Sequence, residues 1–364
     1  MIFGGGRWSR VLLSVLKHVR SIESEILWVT KHSFTAAETW LSLNPIENLQ
    51  VVSALNLQAA DAVIIATSPE SHFLIAKQAV TLGLPTLCEK PIAPDRRGAE
   101  ELLELSRRAG CPLGLHLELL YASYLSDFAA RLRTINVHSV KIEWFDPWCE
   151  KREEETKYGE FYADIMNDQL PHCWSLLATV FQTSIGLQIK AVDEDSASTK
   201  VSGTWGSVIT DCHLSRRAER RVRRILINDG EWELDFSVEP GVVIHEGTST
   251  PNHWSSERPL ARSLSGFLEV ARDLRQCDNW PMALSNCFPA VESAMDASAR
   301  LRFLQDQRIQ ALRLDQEIDL ENANHVRLIV DRFLPDFASK GKRMPVRTAE
   351  EQREFARFWR SERR

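Results

Sequence analysis

The sequence predicts an α/β protein with a parallel, doubly wound sheet, then a mostly antiparallel sheet, then a charged helical extension. In the first part, short apolar runs alternate with helical stretches. The run AVIIA at 62–66 is continuous and β-branched, as expected for a strand buried on both faces. From Val137 onward, apolar residues alternate with a period of two, which indicates strands with one solvated face. The predicted domains are therefore 1–119, 120–306 and 307–364.

The elements of the first domain follow from apolar spacing and from the residues that end each run. Helices are predicted where apolar residues recur at intervals of three and four, before a glycine or a proline. The predicted strands are Met1–Phe3, Glu25–Thr30, Leu49–Ser53, Ala62–Ala66, Pro85–Cys88 and Pro112–Leu117. The predicted helices are 8–19, 34–43, 70–82 and 95–109.

The second domain and the extension are assigned in the same way. Thr348 with Glu351 forms the pattern of a capping box, which predicts a last helix. The predicted strands are 137–144, 187–192, 200–212, 221–228, 231–238 and 242–245. The other predicted helices are 121–132, 162–181, 261–276 and 283–304.

Composition excludes several classes of protein. The chain has 364 residues and a formal net charge of −6, whereas nucleic-acid binders usually carry a basic excess. No apolar run approaches the ~20 residues that span a bilayer. The seven cysteines contain no C-x-x-C pair, which favours buried reduced thiols over a metal site and predicts a cytoplasmic protein. The 11 Trp against 4 Tyr indicate either a bulky core or an aromatic pocket.

A glycine-rich turn, Gly4-Gly5-Gly6-Arg7-Trp8-Ser9, lies between the first strand and the first helix. It matches G-x-G-x-x-G/A except that Ser9 takes the third small position. Gly4 permits the tight turn, Gly6 lets the backbone approach a pyrophosphate, and the helix N-terminus supplies amides and a positive dipole end. The turn therefore predicts a dinucleotide site, with Arg7 and Trp8 among its contacts.

The end of the second strand bears on the choice of dinucleotide. NAD-binding domains usually carry an acid there for the ribose hydroxyls, but this segment reads Val29-Thr30-Lys31-His32-Ser33. Lys31 and Ser33 are suited to a 2′-phosphate, with Arg7 over the adenine side. NADP is therefore the preferred cofactor and NAD the second choice, while the alternative interpretation of these residues is a solvated turn.

The string 61–93 resembles the Gfo/Idh/MocA oxidoreductases, the family of glucose–fructose oxidoreductase and inositol dehydrogenase. Its members follow a buried strand with A-T-x-P-x-x-x-H and later E-K-P. Here the corresponding residues are Ala66-Thr67-Ser68-Pro69, His72, which comes one place early, and Glu89-Lys90-Pro91. The resemblance covers about residues 1–306. It implies a Rossmann domain, a second domain with an open antiparallel sheet, and cofactor contacts from Thr67, Ser68, Pro69, His72, Glu89 and Lys90.

The resemblance also implies the catalytic residues. Lys90 would lie beside the nicotinamide, and the family's D-x-x-x-H matches Asp168 and His172, although its usual glycine-rich lead-in is replaced. An imidazole has the pKa of a general acid/base at neutral pH, Asp168 one turn earlier can orient it, and Lys90 can stabilise an alkoxide. The alternatives are a surface lysine, a helix-capping histidine and an N-cap aspartate.

Two further groups are noted. His116, Trp144, Trp148 and Tyr162 are candidates for substrate binding, with core packing as the alternative. The block 216–224 holds six arginines between two strands, which predicts a solvated hairpin, with an anion-binding patch as the alternative.

The sequence thus predicts an NAD(P)-dependent oxidoreductase acting on a small polyol, a sugar derivative or a related carbonyl or imine. The alternatives are a non-catalytic dinucleotide-binding regulatory or scaffold protein, and an enzyme that uses bound cofactor for a net non-redox step. The resemblance further implies a homodimer or homotetramer formed through the second sheet.

Overall fold

The computed structural model describes residues 1–20, 24–53, 56–152, 155–159, 161–195 and 198–362. Contacts divide the chain into two units, each built from two segments. The first unit combines Met1–Ser123 with Ser256–Phe288, and the second combines Tyr124–Ser255 with Pro289–Arg364. The sequence had placed 256–288 in the second domain, so this return of the chain is a difference from the prediction.

The first unit is built around a parallel sheet covered by helices. Its strands are β1 (Ile2–Phe3), β2 (Ile26–Val29), β3 (Leu49–Val52), β4 (Val63–Ile65), β5 (Thr86–Cys88) and β6 (Leu113–Leu115). Its first helices are α1 (Arg7–Val19), α2 (Phe34–Leu43), α3 (Pro69–Thr81) and α4 (Arg96–Ala109). The strand order is β3-β2-β1-β4-β5-β6, so the order reverses between β1 and β4. In doubly wound sheets, ligands bind at that point, outside the carboxyl ends of the strands.

The second unit holds a mixed sheet. Its first helices are α5 (Ser123–Leu132), whose first residue lies in the first unit, and α6 (Ile165–Phe181). The strands of the main sheet, in spatial order, are β10 (Gln188–Glu194), β11 (Thr199–Trp205), β12 (Val208–Ala218), β7 (Ser139–Pro147), β13 (Val222–Ile227), β14 (Trp232–Asp235), β15 (Val242–His245) and β16 (Thr248–Pro251). A separate hairpin is formed by β8 (Cys149–Arg152) and β9 (Glu155–Tyr158).

The pairing in this sheet corrects one predicted strand. The single strand predicted at 200–212 is β11, a turn at Gly206 and β12, which pair with each other antiparallel. Gly206 has φ +59°, a conformation that glycine adopts without steric cost. Apart from the parallel pair of β12 with β7, the neighbours are antiparallel, so the predicted mostly antiparallel sheet is confirmed.

Helix α7 (Pro259–Arg272) and the segment after it complete the core of the first unit. Leu264 and Phe267 of α7 are buried in the same cluster as Ile2 and Leu12. After α7, the Trp280 ring lies against the backbone of β6, where a Cβ on Gly114 would come within 2.1 Å of it. Periodicity predicted the helix but could not indicate which domain its apolar face would join.

The remaining helices are α8 (Leu284–Ala311), α9 (Ala323–Ser339) and α10 (Ala349–Ser361). Helices α9 and α10 form an apolar core with each other and with Phe161, so the extension packs within the second unit. The predicted capping box is confirmed at the start of α10, where Thr348 and Glu351 exchange bonds with each other's backbone. The sequence did not predict α9.

The cysteines are free thiols, and Cys149 is exposed while Cys88, Cys173 and Cys212 are buried. Over the residues described, no helix has the length and apolar character that crossing a membrane requires.

Candidate functional site

The glycine turn after β1 is shaped by two close contacts. Gly4 has φ +126°, and a Cβ there would come within 2.2 Å of the Ala66 carbonyl oxygen. A Cβ on Gly5 would come within 2.3 Å of Thr30 Oγ1. A Cβ on Gly6, by contrast, would meet no atom within 4 Å. The backbone is therefore tightly packed at Gly4 and Gly5, whereas the space beside Gly6 is open.

The open space lies at the N-terminus of α1. Gly6 is the N-cap residue and offers no side-chain cap, and the first turn carries no acidic residue. The first-turn amides and the positive end of the helix dipole are therefore available to an anion. Ser9 is fully buried, and its hydroxyl lies 3.4 Å from the Ala66 carbonyl oxygen. A small residue is therefore needed where α1 packs against the end of β4. These features fit a pyrophosphate.

The end of β2 lies against the same turn. The Cβ of Ser33, which precedes α2, comes within 2.7 Å of a Cβ built on Gly5. Lys31 is exposed, Ser33 is half-buried, and residues 30–33 include no carboxylate. The Lys31 ammonium and the Ser33 hydroxyl therefore stand at the end of β2, where NAD-binding domains usually carry an acidic residue.

The loop after β4 is held by its own hydroxyls. Pro69 opens α3, Ser71 Oγ donates to Thr67 Oγ1 at 2.7 Å, and Ser68 Oγ donates to Glu70 at 2.6 Å. Thr67, Ser68 and Pro69 are half-buried at the carboxyl end of the strand where the order reverses. They are therefore placed where the prediction of cofactor contacts requires.

His72, a predicted cofactor contact, is a buried residue of α3. Its ring is 1% exposed, and its two nitrogens lie 2.8 Å from the Pro91 carbonyl and 3.1 Å from the Thr67 carbonyl. Burial lowers the pKa of this imidazole. The ring therefore joins the loop after β4 to the segment after Lys90.

Glu89, at the end of β5, forms a buried ion pair. Its carboxylate accepts from His116 Nδ1 at 2.6 Å and from the Trp8 indole at 2.5 Å. His116 Nε2 lies 3.1 Å from Ser263 Oγ, which itself donates to the Leu260 carbonyl. With Ser263 donating to Leu260, its oxygen can accept from Nε2 while Glu89 accepts from Nδ1, an arrangement that suits the protonated ring.

Glu89 and His116 each stabilise the charged form of the other. Burial opposes ionisation of Glu89, yet the His116 charge and the bonds from His116 and Trp8 lower its pKa to about 2. Burial likewise opposes protonation of His116, and Glu89 raises the pKa of that ring. Lys90 follows directly, half-buried, before the cis peptide to Pro91. Its neighbour Glu89 is therefore already neutralised by His116.

In the second unit, α6 carries the other predicted catalytic residues. Its N-cap is Asp164, whose carboxylate accepts from the amides of Met166 and Asn167. The alternative interpretation of Asp168 as the N-cap is therefore wrong, because Asp168 lies inside the first turn. His172 lies one turn later and is half-buried, so both side chains project from one face of the helix.

The imidazole of His172 is stacked on an indole. The rings of His172 and Trp144 are 4.8 Å apart and nearly parallel, at 6°. Arg223 lies 3.8 Å from the centre of the Trp144 ring and pairs with Asp146 at 2.6 Å. Burial opposes ionisation of Asp146, and Arg223 lowers its pKa to about 2. Trp144 is thus 6% exposed and held in place.

Trp148 and Tyr162, two of the candidates for substrate binding, bond to the segment between α9 and α10. The Trp148 indole donates to the Arg347 carbonyl at 3.2 Å, and the Tyr162 hydroxyl donates to the Met344 carbonyl at 3.0 Å. Both side chains therefore hold the segment between α9 and α10. Sequence reasoning missed this contact and the Ser263 contact to His116, because the paired residues are 147 to 199 positions apart.

Comparison with known proteins agrees with the glycine turn and the strand order. A family model described as the Gfo/Idh/MocA oxidoreductase family, with an NAD-binding Rossmann fold, matches residues 1–117. The match covers about a third of the chain and assigns that part, residues 1–117, to the Gfo/Idh/MocA family. The predicted resemblance is thereby confirmed, and the domain that carries the match is the one with the turn at Gly4–Gly6.

Curated relatives match a part of the chain. Inositol 2-dehydrogenase of Leifsonia xyli is 38% identical over 84 residues, 23% of this chain and 24% of that protein. Inositol 2-dehydrogenase of Streptomyces avermitilis is 39% identical over 61 residues, 17% of this chain and 18% of that protein. The matched segments thus span about a quarter or less of these relatives.

Solved structures share the fold over most of the chain. UDP-N-acetylglucosamine 3-dehydrogenase of Acidithiobacillus ferrooxidans has a TM-score of 0.63 at 16% identity, covering 82% of this chain and 96% of that one. A Gfo/Idh/MocA family oxidoreductase of Vibrio cholerae has a TM-score of 0.61 at 15% identity, covering 84% and 98%. An Agrobacterium radiobacter oxidoreductase in complex with NAD⁺, L-tartaric acid and magnesium scores 0.62 at 13% identity, covering 82% and 94%. The predicted fold class is confirmed.

Proposed function

We propose that this chain is an NAD(P)-dependent oxidoreductase that moves a hydride between nicotinamide and a carbon of a small polyol, sugar derivative or related carbonyl or imine. The observation that carries the proposal is the open space above Gly6, at the uncapped N-terminus of α1 and beside the reversal of strand order. The family match and the inositol dehydrogenase relatives support a hydroxylated substrate.

We assign the proposed cofactor contacts by position. The α1 amides and Gly6 receive the pyrophosphate, with Gly4 shaping the turn and Arg7 and Trp8 beside it. Lys31 and Ser33 receive the 2′-phosphate, so NADP is preferred to NAD. When bound, the dinucleotide supplies the hydride acceptor or donor. The remaining proposed contacts lie at the carboxyl ends of β4 and β5 and come from Thr67, Ser68, Pro69, Glu89 and Lys90.

The protein's own residues perform the proton chemistry in this proposal. His172 takes the hydroxyl proton when an alcohol is oxidised and returns it when a carbonyl is reduced. Asp168, on the same helix face, orients the imidazole or binds a substrate hydroxyl. Lys90 donates to the reacting oxygen and stabilises its developing negative charge. Trp144, held by Arg223 and Asp146, restricts the His172 ring through the stack.

Substrate oxidation tests the proposal directly. The wild-type chain is incubated with NADP⁺ and, separately, with myo-inositol, open-chain polyols, aldoses and nucleotide sugars, while the absorbance of the reduced nicotinamide is followed. We expect one of these classes to reduce NADP⁺ with saturation kinetics, and His172→Ala to abolish that signal. Tight dinucleotide binding without turnover on any class would favour the regulatory alternative, and substrate conversion without change in absorbance would favour the non-redox alternative.

Gly6→Ala is expected to weaken NADPH binding about tenfold or more, because the new methyl group occupies the space proposed for the pyrophosphate. The variant should fold normally, since Gly6 has φ −82° and its Cβ would contact nothing within 4 Å. Calorimetric titration with NADPH measures the affinity, and thermal unfolding checks the fold. Gly186→Ala, whose Cβ would lie 3.9 Å from Ser293, is the matched control and should bind like wild type.

Lys31→Glu is expected to lower NADPH affinity about tenfold and to leave NADH affinity equal or higher. A carboxylate at this position repels the 2′-phosphate and can accept from the ribose hydroxyls. Titration of each variant with both dinucleotides gives the ratio of dissociation constants. Lys17→Glu, an exposed lysine in the last turn of α1, is the control and should keep the wild-type ratio. Tighter binding of NADH than of NADPH by the wild-type protein would contradict the assignment of Lys31 and Ser33 to a 2′-phosphate.

A further inference from the structure

A cavity of about 240 Å³ lies in the second unit, beside α9 and α10. Its walls include Trp148 and Arg217 from the sheet side and Leu320, Val326 and Arg327 from the extension. A protein cavity of ~150 Å³ is large enough to bind benzene. This cavity therefore has room for one ring with a substituent. Neither the predicted active-site residues of α6 nor the glycine turn lines it.

The cavity is rich in arginine. Arg217, Arg327 and Arg353 line it, against a single lining carboxylate, Glu321. Two of these arginines have acidic partners: Arg217 pairs with Asp331 at 2.8 Å and Arg353 with Glu350 at 3.0 Å. The positive charge at the wall is therefore compensated only in part.

Arg327 is the arginine that lacks compensation. It is half-buried, and in the part of the chain that the structure describes no hydrogen bond or ion pair joins it to another residue. Its charge also acts on Arg217, whose pKa is lowered by burial and by the neighbouring arginines. A half-buried guanidinium that faces a second one is costly without an anion between or beside them.

The rest of the wall is mostly apolar, with Gln352 as the exception. Leu320, Val326 and Ala349 contribute aliphatic surface, and the Trp148 indole contributes an aromatic one. Arg217 lies 5.0 Å from the centre of the Trp148 ring, so cationic and aromatic groups meet at one side of the cavity. A ligand that fits this wall carries an anionic head and a flat apolar body.

A neighbouring cavity is smaller and has more acidic than basic residues on its wall. It lies beside Glu194 and Asp331, with Arg216 and Arg217 on its wall, and holds about 30 Å³, close to the space of one or two waters. Burial and the charge of Asp331 raise the pKa of Glu194 to about 7. Acidic groups and small volume make this second cavity unsuitable for an organic anion.

We propose that the cavity between Trp148, Arg217 and Arg327 is a binding site for a small anion, a carboxylate or phosphate carried by a flat apolar group. Arg327 supplies the uncompensated charge, and Trp148 and Val326 receive the apolar body. Arg217, from the six-arginine block at 216–224, therefore lines the proposed site. The sequence had favoured a solvated hairpin for this block. The site does not depend on the dinucleotide.

Calorimetric titration of the full-length chain with benzoate and with phenyl phosphate tests the site, and benzamide and inorganic phosphate are the comparison probes. We expect at least one aryl anion to bind one site per chain, with benzamide, which lacks the charge, and phosphate, which lacks the ring, at least about tenfold weaker. The stronger aryl anion identifies the head group. Equal binding of benzamide, or no binding of either aryl anion, would overturn the proposal.

Arg327→Gln localises the site. The variant should lose aryl-anion affinity by at least about tenfold, keep NADPH affinity unchanged, and unfold at the same temperature as wild type or higher, because a repulsion with Arg217 is removed. Arg300→Gln, an exposed arginine of α8 outside the cavity, is the matched control and should bind like wild type. Unchanged aryl-anion affinity in folded Arg327→Gln would contradict the assignment.

Discussion

Lys90→Met is expected to lower kcat by about 10²- to 10⁴-fold and to weaken NADPH binding by less than about tenfold, because Lys90 is one of several proposed cofactor contacts. In the proposed mechanism Lys90 donates to the oxygen on which negative charge develops, an interaction that strengthens in the transition state. A side chain of similar length without charge removes that donor and keeps the packing before Pro91. Steady-state kinetics on the substrate class found active, with NADPH titration in parallel, separates the two effects.

The position of Glu89 makes this prediction specific. Its charge is balanced by His116 and by the Trp8 indole, so the loss of Lys90 does not leave an uncompensated carboxylate. Lys77→Met is the matched control, because Lys77 forms an exposed ion pair with Glu101 on helices α3 and α4 of the same unit. Full turnover in Lys90→Met would refute the catalytic assignment, whereas a loss in both variants would indicate a general effect on the unit.

Glu89→Gln is expected to reduce the free energy of unfolding by about 3–5 kcal/mol, the usual cost of removing one partner of a buried ion pair. His116 is 1% exposed and its Nδ1 faces Glu89, so without Glu89 the protonated ring loses its hydrogen-bonded counter-charge. Urea unfolding of the wild-type protein and of Glu89→Gln, His116→Gln and the double variant completes a cycle. The double variant should recover part of the loss, because neither charge remains.

The pH dependence of this loss has a defined sign. The pKa of Glu89 is lowered in the folded chain, so its stabilisation is present above pH 4.5 and is lost as the pH falls toward about 2. The pKa of His116 is raised, so its stabilisation is present below pH 6.5 and is lost as the pH rises through the raised value. The difference between wild type and Glu89→Gln should therefore be greatest between about pH 4.5 and 6.5.

A surface pair provides the control for this experiment. Glu101→Gln removes the exposed partner of Lys77 and should cost less than about 1 kcal/mol at any of these pH values. A cost of that size in Glu89→Gln as well would show that the Glu89–His116 pair contributes little. The pair would then not be the support for the end of β5 that its burial indicates.

The elements of the first unit could be predicted from sequence because its strands are continuous buried runs separated by clear turn residues. The run at β4 is a buried strand and the three glycines form a tight turn between β1 and α1, as predicted. The hairpin of β11 and β12 was merged into one strand because the alternation continues through Gly206. The alternating pattern indicates which residues face the core, and it does not indicate where the chain reverses.

The environment of the candidate site was less accessible to sequence reasoning. The motif E-K-P marked Glu89, but its bonds to Trp8 and His116 join residues 81 and 27 positions away. Trp148 was a candidate for a substrate pocket, with core packing as the alternative, and no pattern in the sequence indicated that its indole bonds the backbone beyond α9. Arginine-rich segments are usually solvated, so the burial of Arg216 and Arg223 in ion pairs and over aromatic rings required the tertiary structure.

Equilibrium titration of the wild-type chain with NADPH, followed by calorimetry, tests the central claim most directly. The claim is that the turn at Gly4–Gly6 and the N-terminus of α1 form a dinucleotide site. We predict one NADPH bound per chain, with tighter binding than NADH. No binding of either dinucleotide to folded wild-type protein would contradict the claim.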